Sequence, residues 1–200
     1  MATSRKLALS DIKDMRAYEH EREDFRRHVI ELKKRRRIPL GTIMTIVFEN
    51  RDTMRFQVQE MARAERMLRD EQIAHELETY NALIPDAGEL SSTLLIELQS
   101  EEQLREWLPK LVGIERHMAF TLPDGSSARG TTSEEDEQRL TREDTTAAVH
   151  FLKFALTPAQ IAAFDDGPVR LGSDHPAYPH TTELDAEQRA ALADDLRDNA

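Results

Sequence analysis

Glu49, Asn50, Arg51 and Asp52 stand where a run of β-branched residues gives way to a helical pattern, and Arg55, Gln57, Gln59 and Glu60 follow at helical spacing. A strand-to-helix handover leaves backbone N–H groups free to meet an anion, and arginines add paired donors. Arg51 and Arg55 are four apart, hence on one helix face, as are Arg55 and Gln59. Two arginines so placed can clamp a carboxylate or a phosphate. The plainer alternative is a helix cap with surface pairs to Glu49, Asp52 or Glu60. A second grouping is His75-Glu76-Leu77-Glu78 with Tyr80 and Asn81. A histidine beside carboxylates can move a proton or ligate a metal. Di-iron bundles need paired Glu-x-x-His motifs on facing helices. Glu60 and Glu65 have no histidine at that spacing, so no metal or other cofactor is predicted; His75 and Glu76 are the candidates if a metal binds. The third grouping, Asp174-His175-Pro176-Ala177-Tyr178-Pro179-His180, holds two histidines but reads more simply as a rigid connector, because proline fixes the backbone. His117 and His150 fall in predicted strands and face one another only if those strands pair.

The elements that must position these groups follow from periodicity. Ser10-Asp11 predicts a helix start, with Met15, Tyr18, Phe25, Val29 and Leu32 as its apolar stripe. Arg22 interrupts that stripe, and Glu21 to Asp24 suggests a break between two helices. Pro39 closes the region, and Leu40–Phe48 reads as a strand. Helices are expected from Asp52 to Arg69 and from Asp70 to Ile84. Strands are expected at Leu90–Leu98, Ile114–Leu122, Ala147–Leu156 and Val169–Gly172. Capping boxes at Ser100-Glu101-Glu102-Gln103 and Thr157-Pro158-Ala159-Gln160 open the intervening helices. A last helix starts at Asp185. The fold class is therefore α+β, with N-terminal helices packed on a mainly antiparallel sheet and a C-terminal half in the split βαβ order of ferredoxin-like sheets. Residues 1–89 form a helical region with one strand, and residues 90–200 an α+β region, together one compact unit. Residues 123–146 are rich in Gly, Ser, Thr and acidic side chains and read as an exposed polar loop that a short connector can replace.

Charge is unevenly placed. Residues 1–37 carry 12 basic and 7 acidic side chains, net +5, whereas residues 38–200 carry 15 and 31, net −16. The run Lys33-Lys34-Arg35-Arg36-Arg37 can meet phosphates, an acidic partner or the acidic remainder of its own chain. An acidic body repels a nucleic-acid backbone, and no aromatic side chains interleave with the basic run, so nucleic acid is not an expected partner. The absence of cysteine excludes disulfides and thiolate metal ligation within this chain. No apolar run is long enough to cross a bilayer and no secretory signal is visible, which together predict a cytoplasmic protein with no membrane partner. The oligomeric state is not legible.

Several strings are shared with one family. Phe48-Glu49-Asn50-Arg51-Asp52-Thr53, Gln57-Val58-Gln59-Glu60-Met61, His75-Glu76-Leu77-Glu78-Thr79-Tyr80-Asn81, Gly88-Glu89-Leu90-Ser91 and Asp174-His175-Pro176-Ala177-Tyr178 resemble the bacterial family catalogued as domain of unknown function 3501. The resemblance brings no catalytic residues. It implies a setting beside rubrerythrin-like and iron–sulfur oxidoreductase proteins. Two readings follow. One is an accessory or interaction protein of a bacterial redox or peroxide-stress system. The other is a small enzyme or ligand-binding protein that uses an Arg/Glu/His cleft on an anionic substrate or a metal, so enzymatic status is open.

Overall fold

A computed structural model describes residues 5–197. Its first long element, α1 (Met15–Lys34), is capped by Asp14, whose carboxylate accepts the Ala17 N–H at 2.9 Å. The helix thus starts after Ser10-Asp11, which sit instead in a short 3-10 turn. No break occurs at Glu21 to Asp24. Tyr18, Phe25 and Val29 form the buried stripe, and Arg22 stays within the helix because its guanidinium finds Glu60.

Two strands follow where one was expected. β1 (Arg37–Leu40) and β2 (Met44–Glu49) make an antiparallel hairpin, turned at Gly41, whose φ is +64°. Pro39 is tolerated because β1 ends one side of the sheet order, where no further strand needs its missing N–H. The remaining elements are α2 (Arg51–Ala64), α3 (Asp70–Asn81), β3 (Glu89–Ile96), α4 (Glu101–Lys110), β4 (Met118–Thr121), β5 (Ser127–Thr131), α5 (Glu134–Leu140), β6 (Val149–Ala155), α6 (Pro158–Ala163), β7 (Arg170–Ser173), β8 (Thr181–Glu183) and α7 (Ala186–Arg197). Residues Ile114–His117, expected in a strand, form a 3-10 turn leading into β4.

The strands order as β1-β2-β3-β6-β5-β4-β7-β8, every neighbouring pair antiparallel. The sheet curls until its ends meet: Thr182 Oγ1 donates to the Pro39 carbonyl at 2.7 Å, and Gln188 Nε2 donates to the Arg37 carbonyl at 3.2 Å. This is the expected α+β fold with N-terminal helices on an antiparallel sheet. The ferredoxin-like order is not realised. That topology needs β4 beside β6 and β7 beside β3; here β5 separates β4 from β6, and β7 lies against β4.

The polar loop is also corrected. Residues 123–146 contain β5 and α5, and β5 is hydrogen-bonded to β4 on one side and β6 on the other. Inside the curl, Ile46, Phe48, Leu94, Phe120, Phe154 and Leu171 are wholly buried, as a small barrel filled by its own side chains requires. Leu192 and Leu196 of α7 join this core. The basic run resolves into contacts with the chain's own acids. Arg36 is buried and bidentate to Asp195, Arg37 pairs with Glu97, and Lys34 pairs with Glu31. Among the described residues, no helix is long and apolar enough to cross a membrane.

Candidate functional site

The β2–α2 junction is built as its sequence implies. Asn50 caps α2: its Oδ1 accepts the Thr53 N–H at 3.0 Å, and Thr53 Oγ1 accepts the Asn50 N–H at 2.9 Å. Strand alternation turns Glu49 to the outer face of the sheet, away from its neighbour Phe48 in the core. All six residues of β2 are buried, because helices cover that outer face.

Glu49 therefore sits in the wall of a groove of about 350 Å³ between the sheet and the N-terminal helices. Its apolar lining is Val47, Met54, Leu83, Leu95 and Phe151. Val47 pairs with Thr93 and Thr93 with Phe151, so the three form one row across the strands. Glu49 Oε1 accepts from Thr93 Oγ1 at 3.1 Å. Its Oε2 is buried and accepts no hydrogen bond among the described residues; the Lys33 ammonium stands 4.0 Å away. Tyr80 and Gln57 complete the polar edge, 3.5 Å apart through the phenol oxygen and the amide nitrogen.

Of the residues singled out in the sequence, Glu49, Gln57 and Tyr80 meet in this groove. Asn50 and Arg51 line a separate cavity of about 230 Å³, where Arg51 pairs with Asp11 at 2.7 Å. The rest do not assemble into a shared cleft. The Arg55 guanidinium lies 4.1 Å over the Phe25 ring. Gln59 binds the Lys13 backbone twice, accepting its N–H at 2.7 Å and donating to its carbonyl at 3.2 Å. Glu60 is held by Arg22 and Tyr18. Asn81 accepts the Leu7 N–H at 2.7 Å and donates to the Leu7 carbonyl at 2.9 Å. His75 is exposed, 3.9 Å from Glu78, and neither it nor Glu76 lines the groove or the cavity. Polar residues that resembled ligands thus stitch helices and chain ends together. Among the described residues, no group of three or more His, Asp or Glu side chains is placed to hold a metal ion.

A second polar cluster escaped sequence reasoning. The β4–β7 register pairs Met118 with Ser173, which brings the preceding His117 against the following Asp174 at 2.7 Å. Arg129 of β5 grips the same carboxylate at 2.8 Å. The Arg129 hydrogen bond, followed by that of His117, holds the Asp174 carboxyl down at about 2. Nearby, Glu115 and His150 are buried with 3.9 Å between Oε2 and Nδ1. Burial pushes His150 below its ordinary value, and the Glu115 charge opposes that shift. His117 and His150 were visible as strand histidines; the signal for the cluster is sheet register, which periodicity does not supply.

These features define an α+β protein with a nearly closed eight-stranded antiparallel sheet and a helix-covered groove on its outer face. The chain belongs to the family described as Protein of unknown function (DUF3501), which matches residues 6–196. It is similar to a novel protein of unknown function from Burkholderia pseudomallei K96243, known from a crystal structure at 1.90 Å. The two are 34% identical over 98% of this chain and 100% of the other, with a TM-score of 0.85. Among curated proteins, none matches this chain.

Proposed function

We propose that this protein binds a small amphipathic molecule in the Glu49 groove. The observation that carries this reading is the buried Glu49 carboxylate, one oxygen of which accepts no hydrogen bond among the described residues, in a groove whose walls include Val47, Met54, Leu83, Leu95 and Phe151 beside a polar edge of Lys33, Arg37, Gln57 and Tyr80. Burying an incompletely hydrogen-bonded carboxylate costs free energy, and a ligand that donates one hydrogen bond to Oε2 recovers part of that cost. The apolar walls select an apolar body; Glu49 selects a hydroxyl or N–H group at one end.

The test uses 2-phenylethanol and its methyl ether, which share a body but differ in the donor. In protein NMR titrations, the alcohol is expected to shift Val47, Leu83 and Leu95 resonances at lower concentration than the ether. Glu49→Gln is expected to erase that preference, because a carboxamide offers both donor and acceptor. Shifts confined to other surfaces, or equal affinity for alcohol and ether in the unaltered protein, would overturn the reading.

The physiological setting belongs to the same proposal: a cytoplasmic accessory protein of a bacterial redox or peroxide-stress system, beside rubrerythrin-like and iron–sulfur oxidoreductase partners. Its support is the family resemblance together with the absence of cysteine, which leaves thiolate cluster ligation to another chain. Failure of the tagged protein to recover such partners from its own cells counts against the setting and leaves the groove reading intact.

A further inference from the structure

The His117 cluster lies in a different part of the fold from the Glu49 groove, and its hydrogen bonds fix which nitrogen of the neutral His117 ring carries the proton. Asp174 is held as a carboxylate by Arg129, so it only accepts. His117 Nδ1 therefore carries the proton and donates to Asp174 Oδ1 at 2.7 Å. The basic lone pair falls on Nε2, which makes no hydrogen bond among the described residues, on a ring 36% exposed. The arrangement is over-determined. The Asp174 N–H donates to the His117 carbonyl at 3.1 Å, and Arg129 Nη1 donates to the Arg116 carbonyl at 2.9 Å.

His175 stands edge-to-face to His117, with ring centres 4.9 Å apart. It does not compete for Asp174. The Ala177 N–H donates to its Nδ1 at 3.2 Å, leaving Nε2–H to donate to the Val112 carbonyl at 3.2 Å. A carboxylate that orients an imidazole, leaving the far nitrogen basic and reachable, is the arrangement used to accept a proton from a bound molecule.

His117 opens on a cleft of about 490 Å³ bounded by Gly113 and the 3-10 turn Ile114–His117 and by α5 with the residues after it. The charges on that cleft are uneven in availability. Arg116 is paired with Glu137, whereas the Arg142 guanidinium makes no hydrogen bond or ion pair among the described residues. We propose that this cleft is an acid–base site for a small hydroxy acid, in which Arg142 meets the carboxylate and His117 Nε2 takes the proton of the hydroxyl. The O–H bond breaks, its electron pair stays on the oxygen, and the proton joins the Nε2 lone pair. The resulting imidazolium lies between the Asp174 carboxylate and the new oxyanion. Asp174 and Arg129 are positioning residues. The other titratable groups facing the site are His175 from the connector, Glu115 and Arg116 from the 3-10 turn, Glu137 from α5, and Glu143, which follows Arg142 in the chain.

The test uses 4-hydroxy-3-nitrobenzoate, whose phenolate is yellow, buffered about one pH unit below its own phenol pKa. Saturable growth of phenolate absorbance is expected with the unaltered protein. His117→Gln should abolish the growth. Asp174→Asn should lower the phenolate fraction of the bound probe at a fixed pH, since the imidazolium loses its counter-charge; a purely structural Asp174 would change unfolding alone. Arg142→Ala should weaken binding about tenfold while leaving the phenolate fraction at saturation unchanged. If His117→Gln does not fold, carbethoxylation of the folded unaltered protein, mapped to His117 by mass spectrometry, replaces it and should remove the signal. No spectral change with the unaltered protein overturns the proposal, as does a signal that survives loss or modification of His117.

Discussion

Glu60 illustrates how a polar residue at a suggestive spacing is used up by the scaffold. Its carboxylate receives Arg22 Nε at 2.7 Å, Arg22 Nη2 at 2.8 Å and the Tyr18 hydroxyl at 2.7 Å. The Arg22 hydrogen bonds hold the Glu60 carboxyl below its ordinary value; burial opposes this, and the Tyr18 bond adds to it. Conversely, burial and then the Glu60 bond push the Tyr18 phenol upward. A folded carboxyl below its unfolded value stabilises the fold fully above the unfolded range, about pH 4–5, and that contribution is lost as pH falls through the lowered folded value. Glu60→Gln should therefore cost about 2 kcal/mol near neutrality, and the gap from the unaltered protein should close as pH falls through the lowered folded value. Urea unfolding near neutrality and in acid measures it; an equal gap in both would exclude the ionic contribution. Sequence alone shows Arg22 breaking an apolar stripe and Glu60 beside a candidate site. It does not show that each is the other's reason, because that pairing depends on how α1 crosses α2.

At the scale of elements, local chemistry was legible at several helix starts and strands, although α1 starts after Asp14 rather than at Ser10 and runs unbroken through Glu21 to Asp24. The capping box at Thr157 forms as its residue types dictate and Asn50 caps α2, whereas Ser100 caps α4 without a closed box because the Gln103 side chain accepts the Gln99 N–H instead; the strands at Glu89–Ile96 and Val149–Ala155 follow their apolar runs. The β1–β2 hairpin was not legible, because β1 is four residues long, contains Pro39, and is stabilised from a distance. Tyr178 is buried, and its hydroxyl accepts the Thr42 and Ile43 N–H groups at 2.8 and 3.0 Å while donating to the Leu40 carbonyl at 2.9 Å. The connector expected at Asp174 to His180 thus closes the hairpin turn through one phenol. Gly41 makes this approach possible: φ is +64°, and a Cβ there would stand 2.9 Å from Tyr178 Cζ. Gly41→Ala should cost about 3 kcal/mol. Gly125→Ala, at φ +83° but with open space at its Cβ, should cost only about 1 kcal/mol. Thermal unfolding of the two variants separates backbone strain from collision; equal losses would remove the Tyr178 contact from the account.

Across the whole molecule, the segment that reads as a loop completes the barrel. β5 is Ser-Ala-Arg-Gly-Thr, a composition typical of connectors, and its inward residues are Ala128 and Gly130. Small residues are required there because the space is filled from the other side. Phe120 and Phe154 stack edge-to-face with ring centres 4.9 Å apart, and a Cβ on Gly130 would stand 3.0 Å from Phe154 Cε1. Small barrels commonly alternate large and small side chains in this way. The absence of a buried apolar stripe in β5 is therefore a consequence of the aromatic cluster opposite, and no window of sequence around residues 127–131 contains that information. Because β5 is the strand between β4 and β6, its removal separates the sheet into a β1-β2-β3-β6 half and a β4-β7-β8 half. It also leaves two unpaired edges and uncovers Phe120 and Phe154. Loop-closure entropy changes slowly with length, so a connector in place of a true loop would be nearly silent. Replacing residues 124–144 with a short Gly/Ser connector should instead abolish cooperative unfolding and bring aggregation. Circular dichroism melts and size-exclusion chromatography report both. A shortened protein that melts cooperatively within a few degrees of the full chain would mean that β4 and β6 can pair directly, the neighbour relation of a ferredoxin-like sheet.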